Sequence, residues 1–147
     1  MKLKDDNIIN IHNFLPHRQP MLMADFILEL TPETVITSFE IKPDNIFVLN
    51  NELVESGLIE NVAQTCSSIL GQSFFQNPDV ETKVIGFITS IKKIEIFALP
   101  KVGDNIISKA SLISKYENIC NIFCETFIDD QLLIRAEINL FIQELKN

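Results

Sequence analysis

The sequence predicts an α+β fold in which one long central helix is wrapped by a curved antiparallel sheet of about six strands. Residues 53–75, LVESGLIENVAQTCSSILGQSFF, carry apolar side chains at three- and four-residue steps, which marks one broad helical face. The rest of the chain falls into segments rich in β-branched and aromatic residues, two before that helix and four after it. The 147 residues are 46% hydrophobic, enough for one substantial core and too little for two, so 1–147 is read as a single domain.

Taken in order, IINIHNF near the start suits a turn or two of helix, and LPHRQP follows as an irregular loop bracketed by Pro16 and Pro20. MLMADFILELT and ETVITSFEIKP, parted by a polar break around Pro32, read as two antiparallel strands. In the helix, Leu58, Ile59, Val62, Ala63, Cys66, Ile69, Leu70 and Phe74 form the apolar face, with Glu60, Gln64, Ser67 and Gly71 on a narrow stripe beside it. KVIGFITSIKKIEIFALP, NIISKASLISK, ENICNIFCETFI and QLLIRAEINLFIQEL then read as a meander of long strands. Strands, one helix and more strands give an antiparallel sheet curled around a single helix, the hotdog arrangement.

Composition removes several function classes. Lys plus Arg is 12 against Asp plus Glu 20, and the net charge of -8 repels phosphate backbones and anionic lipid, so no nucleic acid and no membrane are expected as partners. No apolar run approaches the roughly 20 residues of a membrane span, and the N-terminus lacks a long apolar segment with a small-residue cleavage site, which suggests a cytoplasmic protein. Cys66, Cys120 and Cys124 lack the spacing and histidines of a metal site and are read as buried thiols. Neither metal nor cofactor is expected.

Three stretches together resemble the 3-hydroxyacyl-acyl carrier protein dehydratases. LPHRQPMLMADFILEL is similar to that family's opening, with Leu15, Pro16, His17, Arg18 and Asp25 as counterparts. LIENVAQT resembles the start of its central helix through Glu60, Ala63 and Gln64, and the run ending in Val102, Gly103 and Asp104 resembles its next strand and turn. The resemblance implies loss of water from a 3-hydroxyacyl thioester, in fatty-acid or polyketide-type metabolism, by a helix Glu and a His in a preceding loop, contributed by opposite subunits of a dimer. Glu60 matches. Residues 43–60 hold no histidine, and only His12 and His17 exist in the chain.

Glu60 is therefore the catalytic acid/base candidate, with Gln64 one turn later placed to hydrogen-bond its carboxylate. Asn50, Asn51, Ser56, Gly57 and Leu58 are candidates for binding substrate, the helix N-terminus polarising the thioester carbonyl. His17 and Arg18 are read as tying down loop backbone. The implied partner is an acyl thioester, on acyl carrier protein, docked by a basic patch drawn from Arg18, Lys92, Lys93 or Lys101. Long sheet edges call for a homodimer or a multiple of it, with an acyl tunnel between protomers. Two alternatives stand beside the dehydratase: a non-catalytic acyl-binding or partner hotdog subunit, and an acyl thioesterase.

Overall fold

The computed structural model describes residues 9–76 and 82–146, with the side chains of 13, 71–76, 82–85 and 144–146 outside the described set. Met1 to Ile8, and the expected apolar contact of Phe74, lie outside it. The IINIHNF segment yields a two-residue strand, β1 (Ile9–Asn10), and one 3-10 turn over Ile11–Asn13 capped by the Asn10 side chain. Two strands follow, β2 (Phe26–Leu30) and β3 (Thr34–Glu40), then a small hairpin of β4 (Val48–Leu49) and β5 (Glu52–Leu53). The helix α1 spans Glu55–Gln76, two residues later at its start than the periodicity suggested. Four long strands complete the chain: β6 (Thr82–Ile96), β7 (Asn105–Tyr116), β8 (Ile119–Ile128) and β9 (Gln131–Lys146).

The main sheet is antiparallel, seven-stranded and ordered β1-β2-β3-β7-β8-β9-β6, one short strand more than the six expected. It wraps α1, which packs against β3, β6, β7, β8 and β9. Strict alternation explains the packing. On β8, Cys120, Ile122, Cys124 and Thr126 are buried toward the helix, while the odd-numbered residues between them face outward. On β9, Ile134, Ala136, Ile138 and Leu140 do the same. Leu58, Val62, Ala63, Cys66 and Ile69 fill the space from the helix side. Burying each of the larger of these side chains contributes about 1.5–3 kcal/mol.

The strand expected over 21–31 begins only at Phe26. Its first half runs instead as a strap: the Met21 and Leu22 amides turn back to the Arg18 carbonyl, helix side chains claim the Met21 carbonyl and both backbone groups of Met23, and the Asp25 amide reaches the Ser38 carbonyl of β3.

Candidate active site

Four polar residues of α1 organise the site. Gln64 is almost wholly buried, and its Oε1 accepts the Met23 amide at 2.7 Å. Its Nε2 donates to the Met21 carbonyl at 2.8 Å and to Glu60 Oε1 at 3.0 Å. Asn61 Nδ2 donates to the Met23 carbonyl at 2.6 Å, so one amide side chain holds each backbone group of Met23. Behind them a buried chain of hydroxyls runs into the sheet. Ser108 donates to Asn61 Oδ1 at 2.6 Å and shares a hydrogen bond with Thr126, while Thr65 bonds both the Asn61 carbonyl and Thr37. Buried polar groups demand such partners, and each one here fixes the next.

The strap continues back into the LPHR loop. The Arg18 carbonyl accepts the amides of Met21 and Leu22, and the Arg18 guanidinium binds the carbonyls of Leu15 and His17 at 2.8 Å and of His12 at 3.4 Å. Arg18 thus ties down loop backbone, as the sequence suggested. His17 does not. Its Nδ1 is shielded from solvent and has no hydrogen-bond partner among the described residues. Burial lowers the pKa of the imidazole, and the charge of Glu60 acts in the opposite direction.

The other candidates fall at the helix entrance. Asn50 and Asn51 are the central pair of the β4–β5 turn, with φ of 52° and 66°, the left-handed pair a tight hairpin needs. The Asn51 carbonyl accepts the Val102 amide, and Leu53 donates to the Pro100 carbonyl, so the hairpin leans on the turn formed by 100–104. There Gly103 has φ 95° and the Asp104 carboxylate accepts the Lys101 amide. Gly57 and Leu58 are buried and donate their amides to the Val54 carbonyl, and Ser56 is exposed. A Cβ on Gly57 would meet Phe47 Cβ at 2.6 Å, so only glycine lets the hairpin sit this close to the helix. Glu60 and Gln64 are brought into contact, whereas Asn50 and Asn51 belong to the hairpin tip.

Sequence reading missed Asn61, Ser108 and Thr126. The available signal was polar residues inside otherwise apolar stripes, Asn61 and Thr65 beside Leu58 and Val62 on the helix. A cleft of about 330 Å³ is lined by Gln19, Leu22, Asp25, Phe39, Lys42 and Asn45 among others. Glu60 is not part of its wall. Asp25 is half-buried there, and burial raises its carboxyl pKa, while the hydrogen bond from the Glu40 amide at 2.8 Å and the charge of Lys42 act against the rise. The three cysteines are free and buried. Among the described residues no group of three metal-binding side chains occurs, and no helix is long and apolar enough to cross a membrane.

A single buried helix inside a curled antiparallel sheet, with a Glu–Gln pair in its first turns, defines a hotdog-fold protein of dehydratase type. The chain belongs to the ApeP-like family, whose model, described as ApeP dehydratase, matches residues 9–147. It is 27% identical over 138 residues to the 3-hydroxyacyl-[acyl-carrier-protein] dehydratase FabZ of Desulfotalea psychrophila, covering 90% of each chain. Among solved structures it is similar to the dehydratase heterocomplex ApeI:P from Xenorhabdus doucetiae, with TM-score 0.82, 15% identity, and 92% of this chain and 91% of that one covered. A hypothetical thioesterase with coenzyme A from Streptococcus pneumoniae shares the fold at TM-score 0.64 and 10% identity, covering 82% and 87%.

Proposed function

We propose that this chain removes water from a 3-hydroxyacyl thioester presented by acyl carrier protein, with Glu60 as the acid/base group and Gln64 as its orienting partner. The observation that carries this is the Gln64 hub. One buried amide holds the Glu60 carboxylate and the 21–23 strap together, so the carboxylate is aimed without a flexible search. Elimination needs a base for the proton α to the carbonyl and an acid for the departing hydroxyl, and a carboxylic acid within hydrogen-bond reach performs the second task. The thioester carbonyl would lie at the start of α1, toward Ser56 and the Asn50–Asn51 turn, where helix-terminal amides favour developing negative charge.

The proposed unit is a cytoplasmic homodimer formed along β6. That strand pairs only with β9 among the described residues, and Phe87, Ile88, Ile91 and Ile94 on it are exposed. A bare apolar edge of this length invites pairing with another chain. The test is incubation of purified protein with 3-hydroxyacyl carrier-protein thioesters, following enoyl product by mass. Enoyl formation that Glu60→Gln abolishes supports the assignment. Free thiol without enoyl product means thioesterase chemistry.

A second reading has its own observation. The loop ahead of α1, where a histidine was expected, is instead the compact β4–β5 hairpin and holds no imidazole. A hotdog subunit that binds acyl chains and pairs with a competent dehydratase fits that fact. Turnover that appears only on mixing with such a partner would select it.

A further inference from the structure

Asn61 follows Glu60 on α1, yet it is wholly buried and both polar ends of its amide are engaged. Nδ2 donates to the Met23 carbonyl at 2.6 Å, and Oδ1 accepts from the Ser108 hydroxyl at 2.6 Å. A carbonyl only accepts, so Met23 dictates which end of the amide faces the strap. The protons behind it are then forced as well. Ser108 spends its one hydroxyl proton on Asn61, so in the 2.7 Å contact between Ser108 and Thr126 it is Thr126 that donates. Thr65 spends its own on the Asn61 carbonyl at 2.8 Å, so Thr37 donates to Thr65. Donors from β3, β7 and β8 therefore all converge on Asn61, and its one outgoing side-chain bond goes to the strap.

The same rule governs Gln64. The Met23 amide only donates and the Met21 carbonyl only accepts, so Oε1 and Nε2 of Gln64 cannot exchange places while the strap is held. The second Nε2 proton is then always turned to Glu60 Oε1, at 3.0 Å. We infer that Asn61 is a positioning residue of the site: by pinning the Met23 carbonyl it holds the strap that keeps the Gln64 amide in this orientation, a role that rests on the dehydratase reading. Glu60 Oε1 thereby stays an acceptor, and Oε2 is the oxygen that takes up and gives back the reacting proton. Without Asn61 the Met23 carbonyl loses its partner and the strap its second anchor. The Gln64 amide is then free to turn over, and a turned amide sets its oxygen against Oε1, where the carboxylate is repelled rather than held.

Asn61→Leu keeps the size of the side chain and removes both of its bonds. With 3-hydroxyacyl carrier-protein thioester as substrate and at equal folded concentration, kcat falls at least ~10-fold while KM stays within about twofold, because aim is lost and binding contacts are not. By NMR the Gln64 side-chain amide protons of that variant exchange with water at least ~10-fold faster than in wild type. Asn61→Asp supplies the rescue. As a neutral acid its O–H serves Met23 and its C=O serves Ser108, whereas the ionised form sets a charge against the Met23 carbonyl. Its kcat relative to wild type therefore falls at least ~threefold from about pH 5.5 to about pH 8.5, and this ratio decides alone if Asn61→Leu does not fold. An active wild type whose Asn61→Leu variant keeps kcat within about twofold or leaves the Gln64 protons unmoved, or an Asn61→Asp ratio independent of pH, overturns the role of Asn61 and leaves the dehydratase standing. A wild type that yields no enoyl product, alone or with a partner subunit, overturns the dehydratase reading and this role with it.

Discussion

Replacing Gln64 by Glu keeps the size and one acceptor of the side chain while deleting both donated hydrogen bonds. Oε1 still receives the Met23 amide, but the other oxygen now confronts the Met21 carbonyl at 2.8 Å and Glu60 Oε1 at 3.0 Å. Each lost partner in a shielded place costs roughly 1–3 kcal/mol. Glu60 is partly exposed, so the lower part of that range applies to its side of the pair, and the sum comes to about 3 kcal/mol near neutral pH. For a chain of this size that corresponds to a melting temperature lower by about 6–12 °C. The penalty has a defined pH dependence. The new carboxyl has acceptors on both sides, so its folded pKa rises above the unfolded value of about 4.3. A group shifted upward supports stability below its unfolded pKa and loses that support as pH rises through the folded one. The variant therefore recovers part of its deficit as pH falls toward the unfolded carboxyl value of about 4.3, in urea unfolding followed by circular dichroism. Wild-type stability at neutral pH, or a deficit that does not shrink with acid, would refute the hub.

Gly57→Ala forces a Cβ to within 2.6 Å of Phe47 Cβ and 2.7 Å of Leu53 Cδ1, and destabilises by about 1–3 kcal/mol in the same unfolding assay. Asp25→Asn keeps an acceptor for the Glu40 amide and removes an ionisation that burial opposes. Because the Asp25 pKa is raised in the fold, the wild-type carboxyl supports stability in acid and loses that support as pH rises through the raised value. The variant is then the more stable protein at neutral pH and matches wild type in acid, read as a convergence of the two melting temperatures as pH falls. Cys124 has a raised pKa, first through its hydrogen bond with Cys66 and then through burial, so a thiol reagent labels that pair only at the rate of global unfolding.

The fold was legible where one periodicity ran long. Alternation through 117–128 and 131–145 gave β8 and β9 nearly to the residue, because each strand has one buried and one outward face. The helix was equally clear from Leu58 to Ile69. The 21–31 segment was misread because its composition is strand-like throughout, while in its first half only the Asp25 amide is held by a neighbouring strand. Side-chain amides about forty positions away satisfy its backbone instead. Contacts of that kind leave no local trace. Glu60 and Gln64 were visible because one helical turn separates them, whereas Asn61 and Ser108 meet only through tertiary packing. Asn50 and Asn51 carried a turn signal and a polar signal at once. The structure shows the turn, and their contact with substrate stands as part of the proposal.

The central claim is that Glu60 performs acid/base chemistry on a 3-hydroxyacyl thioester. Its most direct measurement is the rate of enoyl formation from 3-hydroxyacyl carrier-protein thioester by wild type and Glu60→Gln, compared at equal folded concentration. Glu60→Gln retains a side chain able to bond Gln64, so the account predicts a folded variant whose turnover falls at least ~100-fold. Turnover equal to wild type in that variant would contradict it.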